Sequence, residues 1–174
     1  MTRIGILLLA PAMLLPAQSP HPFFDEDLVH EIRISFPQAD WWDQLRKNFE
    51  GQADPQYLEA AFDWNDVHMD RIGVRFKGNS SYNSYPGRKK SLKIKTNAFV
   101  KGQKIQGQNV FNLNNAFKDP SFVREKVYYE LARAAGQQAP RTSYAALHLN
   151  GEYWGGWRHG WTWTPRFGKW RSTI

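Results

Sequence analysis

In several stretches of this chain apolar residues recur at every second position, and that period dictates a sheet. From Leu28 to Phe36, Leu28, His30, Ile32, Ile34 and Phe36 alternate with Val29, Glu31, Arg33 and Ser35. Successive side chains of a strand point to opposite faces, so the run predicts a half-buried strand. Tyr57 to Trp64 and Val67 to Lys77 flank Asn65-Asp66, a pair that tolerates tight-turn backbone and predicts a hairpin. Leu92, Ile94 and Thr96 alternate with Lys93, Lys95 and Asn97, and Val110, Phe111 and Leu113 suggest one strand more. Thr142 to Leu149 predicts another, closed by Asn150-Gly151, a strong type I′ turn signal. The polar stretch from Gly78 to Lys90 reads as a loop.

Two segments follow a longer period. Trp41, Leu45 and Phe49 are four apart, on one helical face, with Pro37 suited to the first turn and Gly51 past the end. Pro120 to Ala135 predicts the clearest helix: Asp119 as cap, Pro120 in the first position, Gly136 as stop, and Val123, Val127 and Leu131 as the buried stripe. Strands with two main helices give an α+β fold with a mostly antiparallel sheet. The 174 residues suit one modest domain, and 41% hydrophobic with 15% aromatic residues can fill its core.

The ends read differently. Thr2-Arg3 is a basic head, Ile4 to Leu15 is apolar apart from Gly5 and Pro11, and Ala17 is small. That order predicts a signal peptide over 1–17 and hence export to the periplasm, the cell surface or the outside. The run is shorter than the roughly 20 residues a bilayer span needs, so no transmembrane segment is expected after its removal. Residues 18–27, with Pro20, Pro22 and the acids Asp25, Glu26 and Asp27, read as a linker to a domain at 28–155. Residues 156–174 hold four of the eight tryptophans and four basic residues with no acid, and show no apolar periodicity. Such Trp/Arg/Gly-rich text reads as aberrant, like GC-rich DNA translated out of frame; the competing reading is a genuine tail for membrane or nucleic acid.

The net charge of +7 favours phosphate-rich partners, although the tail supplies four of those charges. With no cysteine, disulfides, thiolate metal sites and cysteine nucleophiles are excluded. Three constellations could carry chemistry. Arg75-Phe76-Lys77-Gly78-Asn79-Ser80-Ser81 runs from a strand into small residues, and Gly87-Arg88-Lys89-Lys90-Ser91-Leu92-Lys93-Ile94-Lys95 returns as a lysine-rich strand. Small residues let main-chain N–H groups approach phosphate oxygens, and lysines add point charges. The same residues also fit a solvated basic hairpin face. In the second, Asn112-Leu113-Asn114-Asn115 faces Lys118-Asp119-Pro120-Ser121-Phe122-Val123-Arg124-Glu125. Arg124 and Glu125 suit a ligand's charge or plain helix capping. Asp63, Asp66, Asp70 and His68 could hold a divalent ion, but the hairpin turn explains these acids more cheaply.

Taken in order, Val29-His30-Glu31-Ile32-Arg33-Ile34, Gly73-Val74-Arg75-Phe76-Lys77-Gly78-Asn79-Ser80-Ser81, Lys89-Lys90-Ser91-Leu92-Lys93-Ile94-Lys95, Leu113-Asn114-Asn115, Asp119-Pro120-Ser121-Phe122-Val123-Arg124-Glu125, Ala139-Pro140-Arg141-Thr142 and Asn150-Gly151-Glu152-Tyr153-Trp154-Gly155 resemble the CotH (spore coat protein H-like) kinase family. The resemblance runs from about Leu28 to Gly155. It implies an atypical kinase-like fold that binds ATP with Mg²⁺ and phosphorylates Ser of secreted or coat proteins. Lys77, Asn79, Ser80 and Ser81 match the family's small-residue loop. Lys90, Lys93 and Lys95 match its lysine strand, with Lys93 or Lys95 favoured for the phosphates. Arg124 matches a helix arginine that braces the site.

The family's metal-binding and catalytic aspartates lie beyond the Tyr-Trp-Gly segment, where this sequence diverges. The expectation is therefore an incomplete, amino-terminal portion that is inactive, with no catalytic or metal residue assigned. A non-catalytic coat or cell-surface interaction protein on the same scaffold is the alternative. A nucleic-acid binder would show steep salt dependence, and the export signal argues against it, so no specific nucleic acid is expected as a partner.

Overall fold

The computed structural model describes Asp25, residues 28–50 and 52–154, and the backbone alone of 161–165. The signal-peptide reading, nearly all of the linker and most of the tail lie outside these residues. In chain order the elements are β1 (Val29–Ser35), α1 (Trp41–Phe49), β2 (Leu58–Trp64), β3 (Val67–Phe76), α2 (Ser80–Ser84), β4 (Leu92–Lys95), β5 (Val110–Asn114), α3 (Arg124–Ala134), β6 (Ser143–Leu149), β7 (Glu152–Tyr153) and β8 (Trp161–Pro165).

The architecture is α+β. One eight-stranded sheet runs β1-β2-β3-β4-β5-β8-β6-β7, and β1 also pairs with β6, so the sheet curls until its ends meet. Closure leaves the two-residue β7 as a short edge among the described strands, and short edges limit pairing with other chains. The β1–β6 pairing is parallel and the rest are antiparallel. Asn150 locks that parallel pair. In the Asn150-Gly151 turn both residues take left-handed backbone, with φ of 48° and 81°, as a type I′ hairpin requires. The Asn150 side chain accepts from the Phe36 N–H at 2.6 Å and donates to the Phe36 carbonyl at 3.2 Å.

Strand alternation sets the core. His30, Ile32, Ile34 and Phe36 are buried while Val29, Glu31, Arg33 and Ser35 are exposed. Inside the curl, Phe62, Ile72, Val74, Ile94, Phe111 and Leu147 are fully enclosed. The period-four face of α1 closes over them: Leu45 is buried, Trp41 stacks on Phe36 with centroids 4.9 Å apart, and Phe49 lies 4.3 Å from Tyr82.

The structure corrects several expectations. The Gly78–Lys90 stretch contains a third, short helix, α2. Helix α1 begins at Trp41, well after Pro37. Helix α3 begins at Arg124, not Pro120, because Ala116, Lys118 and Phe122 take left-handed backbone (φ 50°, 59° and 60°), which interrupts any right-handed helix. Asp119 still caps it, accepting the Arg124 N–H at 2.9 Å. The largest correction concerns the stripe Val123, Val127 and Leu131, which is 43%, 45% and 65% exposed. The half-buried side is Glu125, Lys126, Tyr129 and Glu130. Periodicity identifies an amphipathic helix but not which face the rest of the fold covers. Finally, the sequence gives 156–174 no strand, whereas backbone 161–165 forms β8 between β5 and β6. Trp161-Thr162-Trp163-Thr164 alternates aromatic with β-branched residues, both strand formers.

Candidate functional site

The first two sequence constellations converge on the outer face of the sheet. Register puts Phe76 opposite Leu92, and Leu92 opposite Leu113, all facing the core. The next row, Lys77, Ser91 and Asn114, therefore faces outward. Over it lie the loop into α2 and the loop from β5 into α3, and between them opens a cavity of about 520 Å³. Its wall includes Lys77, Asn79, Ser80, Ser81, Asn114 and Arg124. Gly78 makes the turn into α2 at φ 83°, and a Cβ there would collide with the Ser81 hydroxyl. Only glycine fits that backbone and that space.

Lys77 is the centre of the site. Its Nζ donates to Asn114 Oδ1 at 2.6 Å, and Asn114 Nδ2 donates to Glu125 Oε1 at 2.6 Å. Burial lowers the Lys77 pKa, and the nearby Glu125 carboxylate opposes that shift. A half-buried ammonium held by a neutral amide, with its counter-charge one residue further off, keeps attraction in reserve for an incoming anion. Arg124 at the rim is largely exposed; its Nη1 donates to the Lys118 carbonyl at 3.0 Å and its Nε lies 3.6 Å from Asp119. Burial would raise the Asp119 carboxyl, but hydrogen bonds from the Ser121 hydroxyl and the Arg124 and Ser121 N–H groups prevail and hold it below its ordinary range.

Asn115 ties the two loops together. Its Nδ2 donates to the Lys89 carbonyl at 2.7 Å, its N–H donates to Ser91 Oγ at 3.1 Å, and Ser91 Oγ donates back to its Oδ1 at 3.0 Å.

The basic run at the start of β4 separates into three roles. The Arg88 guanidinium lies over Trp42 and Trp154, 4.7 and 5.1 Å from their ring centroids. Lys90 donates to the Tyr82 and Tyr85 carbonyls at 2.6 and 2.5 Å, closing the end of α2. Lys89 is buried beside Phe122. Of the sequence-selected residues, Lys77, Asn79, Ser80, Ser81 and Arg124 thus line the cavity, while Lys90, Lys93 and Lys95 do not. Lys93 and Lys95 lie further along the same outer face, opposite Arg75 and Gly73, and Lys95 sits 5.8 Å from the Tyr57 ring. Asn114 and Glu125 stand in the second constellation, where the sequence alone left a ligand's charge and plain helix capping both open; the structure brings them together with Lys77.

The acid cluster resolves into a clamp: His68 Nδ1 and Nε2 lie 2.5 and 2.9 Å from Asp63 and Asp70. Among the described residues, no group of three or more His, Cys, Asp or Glu is placed to hold a metal ion. The carboxylates in the cavity wall are Asp119 and Glu125, and both accept hydrogen bonds from neighbouring groups.

Residues 74–157 match the family model described as CotH kinase protein. That stretch, just under half of the chain, is similar to the CotH kinase family. It carries Lys77, Ser80, Ser81, Asn114, Arg124 and Glu125, so the whole cavity falls within the CotH segment. No curated protein matches the chain. No helix of the described residues is long and apolar enough to cross a membrane.

Proposed function

We propose that the cavity receives the phosphates of ATP, with Lys77 as the principal cation, Asn79, Ser80 and Ser81 as neutral donors and Arg124 at the rim. The observation that carries this reading is the Lys77–Asn114–Glu125 relay in the wall of a cavity of about 520 Å³. That volume falls within the roughly 300–1,000 Å³ of small-ligand sites. Sequence reading favoured Lys93 or Lys95 for the phosphates; the proposal moves that role to Lys77.

Phosphoryl transfer requires an aligned acceptor and neutralised phosphate charge as well as binding. In this reading Lys77, the loop donors and Arg124 supply binding and positioning, and the proposed role of this chain is nucleotide capture. By kinship with the CotH family, the acceptor class is Ser of an exported or coat protein. The basic-apolar start of the chain supports export.

The test is a titration of the full chain with a fluorescent ATP analogue, against Lys77→Met and Lys95→Met. Lys77→Met should weaken binding at least about tenfold, the loss of one charge-assisted contact, while Lys95→Met should change it little. Equal binding by wild type and Lys77→Met would refute the assignment.

A further inference from the structure

From Arg71 to Lys118 the sequence carries eleven lysines and arginines and not one acid. The fold gathers part of that run onto a single surface. Ile72, Val74, Leu92 and Ile94 point into the core. Arg71, Arg75, Lys93 and Lys95 therefore stand on the outer face of the β3–β4 pair, where Arg75 is opposite Lys93 and Gly73 is opposite Lys95. On β5 the neighbouring outward positions are Asn112 and Val110, opposite Lys93 and Lys95. No carboxylate interrupts these rows across β3, β4 and β5.

Two of the four cations are engaged. Arg71 pairs with Glu59 at 2.8 Å, and Lys93 has a partner within the structure. Arg75 and Lys95 differ. They flank one ring, with the Arg75 guanidinium carbon 5.2 Å and the Lys95 Nζ 5.8 Å from the Tyr57 centroid. Arg75 Nη1 donates to the Pro55 carbonyl at 3.2 Å, and its Nε finds no acceptor among the described residues. No carboxylate of those residues pairs with either cation. Both side chains are half-buried, and a charge partly removed from water attracts an anion more strongly and is screened less by salt.

We propose that this face docks an acidic, extended segment of a partner protein. Acids at every second position of an extended chain stand about 7 Å apart on one side, a spacing that two cations flanking one ring can meet together. Arg75 offers a carboxylate its planar fork, and Lys95 a point charge. Single-stranded nucleic acid fits this face less well, because its bases need open aromatic rings on which to stack. Here Tyr57 already lies against Arg75 and Lys95, and Phe99 lies 5.9 Å from the Arg71 guanidinium. The docking face goes beyond nucleotide capture and does not depend on it, since Lys77 is not among its contacts.

The experiment follows the fluorescence anisotropy of a labelled peptide of alternating Glu and Ser, titrated with the full chain at about 0.1 M salt. The peptide should bind, and its counterpart with Gln in place of Glu should not. Lys95→Gln should weaken binding about threefold and Lys95→Glu about tenfold, the scale of one surface charge pair lost and then reversed. Lys47→Glu, on the helix that covers the core side of the sheet, should change it by less than about twofold. Circular dichroism would verify that each variant folds, and saturating ATP should leave peptide binding unchanged. Equal weakening by Lys47→Glu and Lys95→Glu would mean attraction by net charge alone and would overturn the inference. Displacement of the peptide by ATP would overturn it too, as would tighter binding of oligothymidylate or of phosphatidylserine vesicles than of the Glu peptide. Absence of peptide binding would also overturn it, and would leave the Lys77 assignment to its own titration with Lys77→Met.

Discussion

The inside of the curled sheet and the helix α3 solve opposite problems. In the sheet, apolar residues at period two turn inward until Ile32, Phe62, Val74 and Ile94 see no solvent. In α3 the apolar stripe faces outward, and the polar side meets the fold through Glu125 to Asn114 and through Arg133 to the Pro140 carbonyl. Area removed from water holds the first region; hydrogen bonds hold the second. The proposed phosphate cavity needs charged and polar groups beside it, and a helix that turns its polar side inward supplies them. The cost is an uncovered Val127, Tyr128 and Leu131 among the described residues.

The contrast predicts very different responses to truncation. Phe62→Ala in the core should cost about 3–5 kcal/mol through lost burial and the cavity left behind, read as a fall in the urea midpoint. An effect below about 1 kcal/mol would mean that the sheet interior is not packed as described. Asn150→Ala should cost roughly 1–3 kcal/mol, since two main-chain groups of Phe36 lose their partner. Hydrogen exchange at Phe36 and along β1 should rise with it.

The sheet was legible in the sequence because alternation and turn residues are local. The hairpin about Asn65-Asp66, the turn at Asn150-Gly151 and the burial of Leu92 and Ile94 all follow from period two and backbone preference. The parallel β1–β6 pairing was not, since nothing in either strand specifies a partner more than a hundred residues away. The site was half legible. Lys77, Ser80, Ser81 and Arg124 stand in motifs, but Lys90 and Lys93 share the same composition and lie outside the cavity. Only register separates them, because it places Lys77 rather than Lys93 in the row with Asn114. The covered face of α3 was misread for a related reason, since amphipathicity has no sign until neighbours are known.

Three further effects sharpen the comparison. The Lys89 pKa lies below its ordinary 10.5, so between about pH 8 and 10.5 the unfolded chain binds more protons than the folded one. Stability should therefore rise with pH across that window, by roughly 1–3 kcal/mol, and Lys89→Met should flatten the rise. For His68 the sign reverses. Hydrogen bonds from its ring to Asp63 and then Asp70 raise its pKa, so the clamp contributes below pH 6.5 and is lost as pH climbs through the raised value. His68→Gln should remove that slope, and NMR titration of the ring would follow it. Smallest of all, Leu131→Ala should change stability by less than about 0.5 kcal/mol, as at ordinary surface positions. A larger loss would mean that its side chain is covered in solution.

Hydrogen–deuterium exchange on the full chain, with and without saturating ATP, tests the central assignment most directly. Slower exchange confined to residues 77–84 and 114–126, with the β2–β3 hairpin unchanged, is the predicted result. Protection that falls on Lys93 and Lys95 but spares the Lys77 loop, or no protection at all, would contradict it.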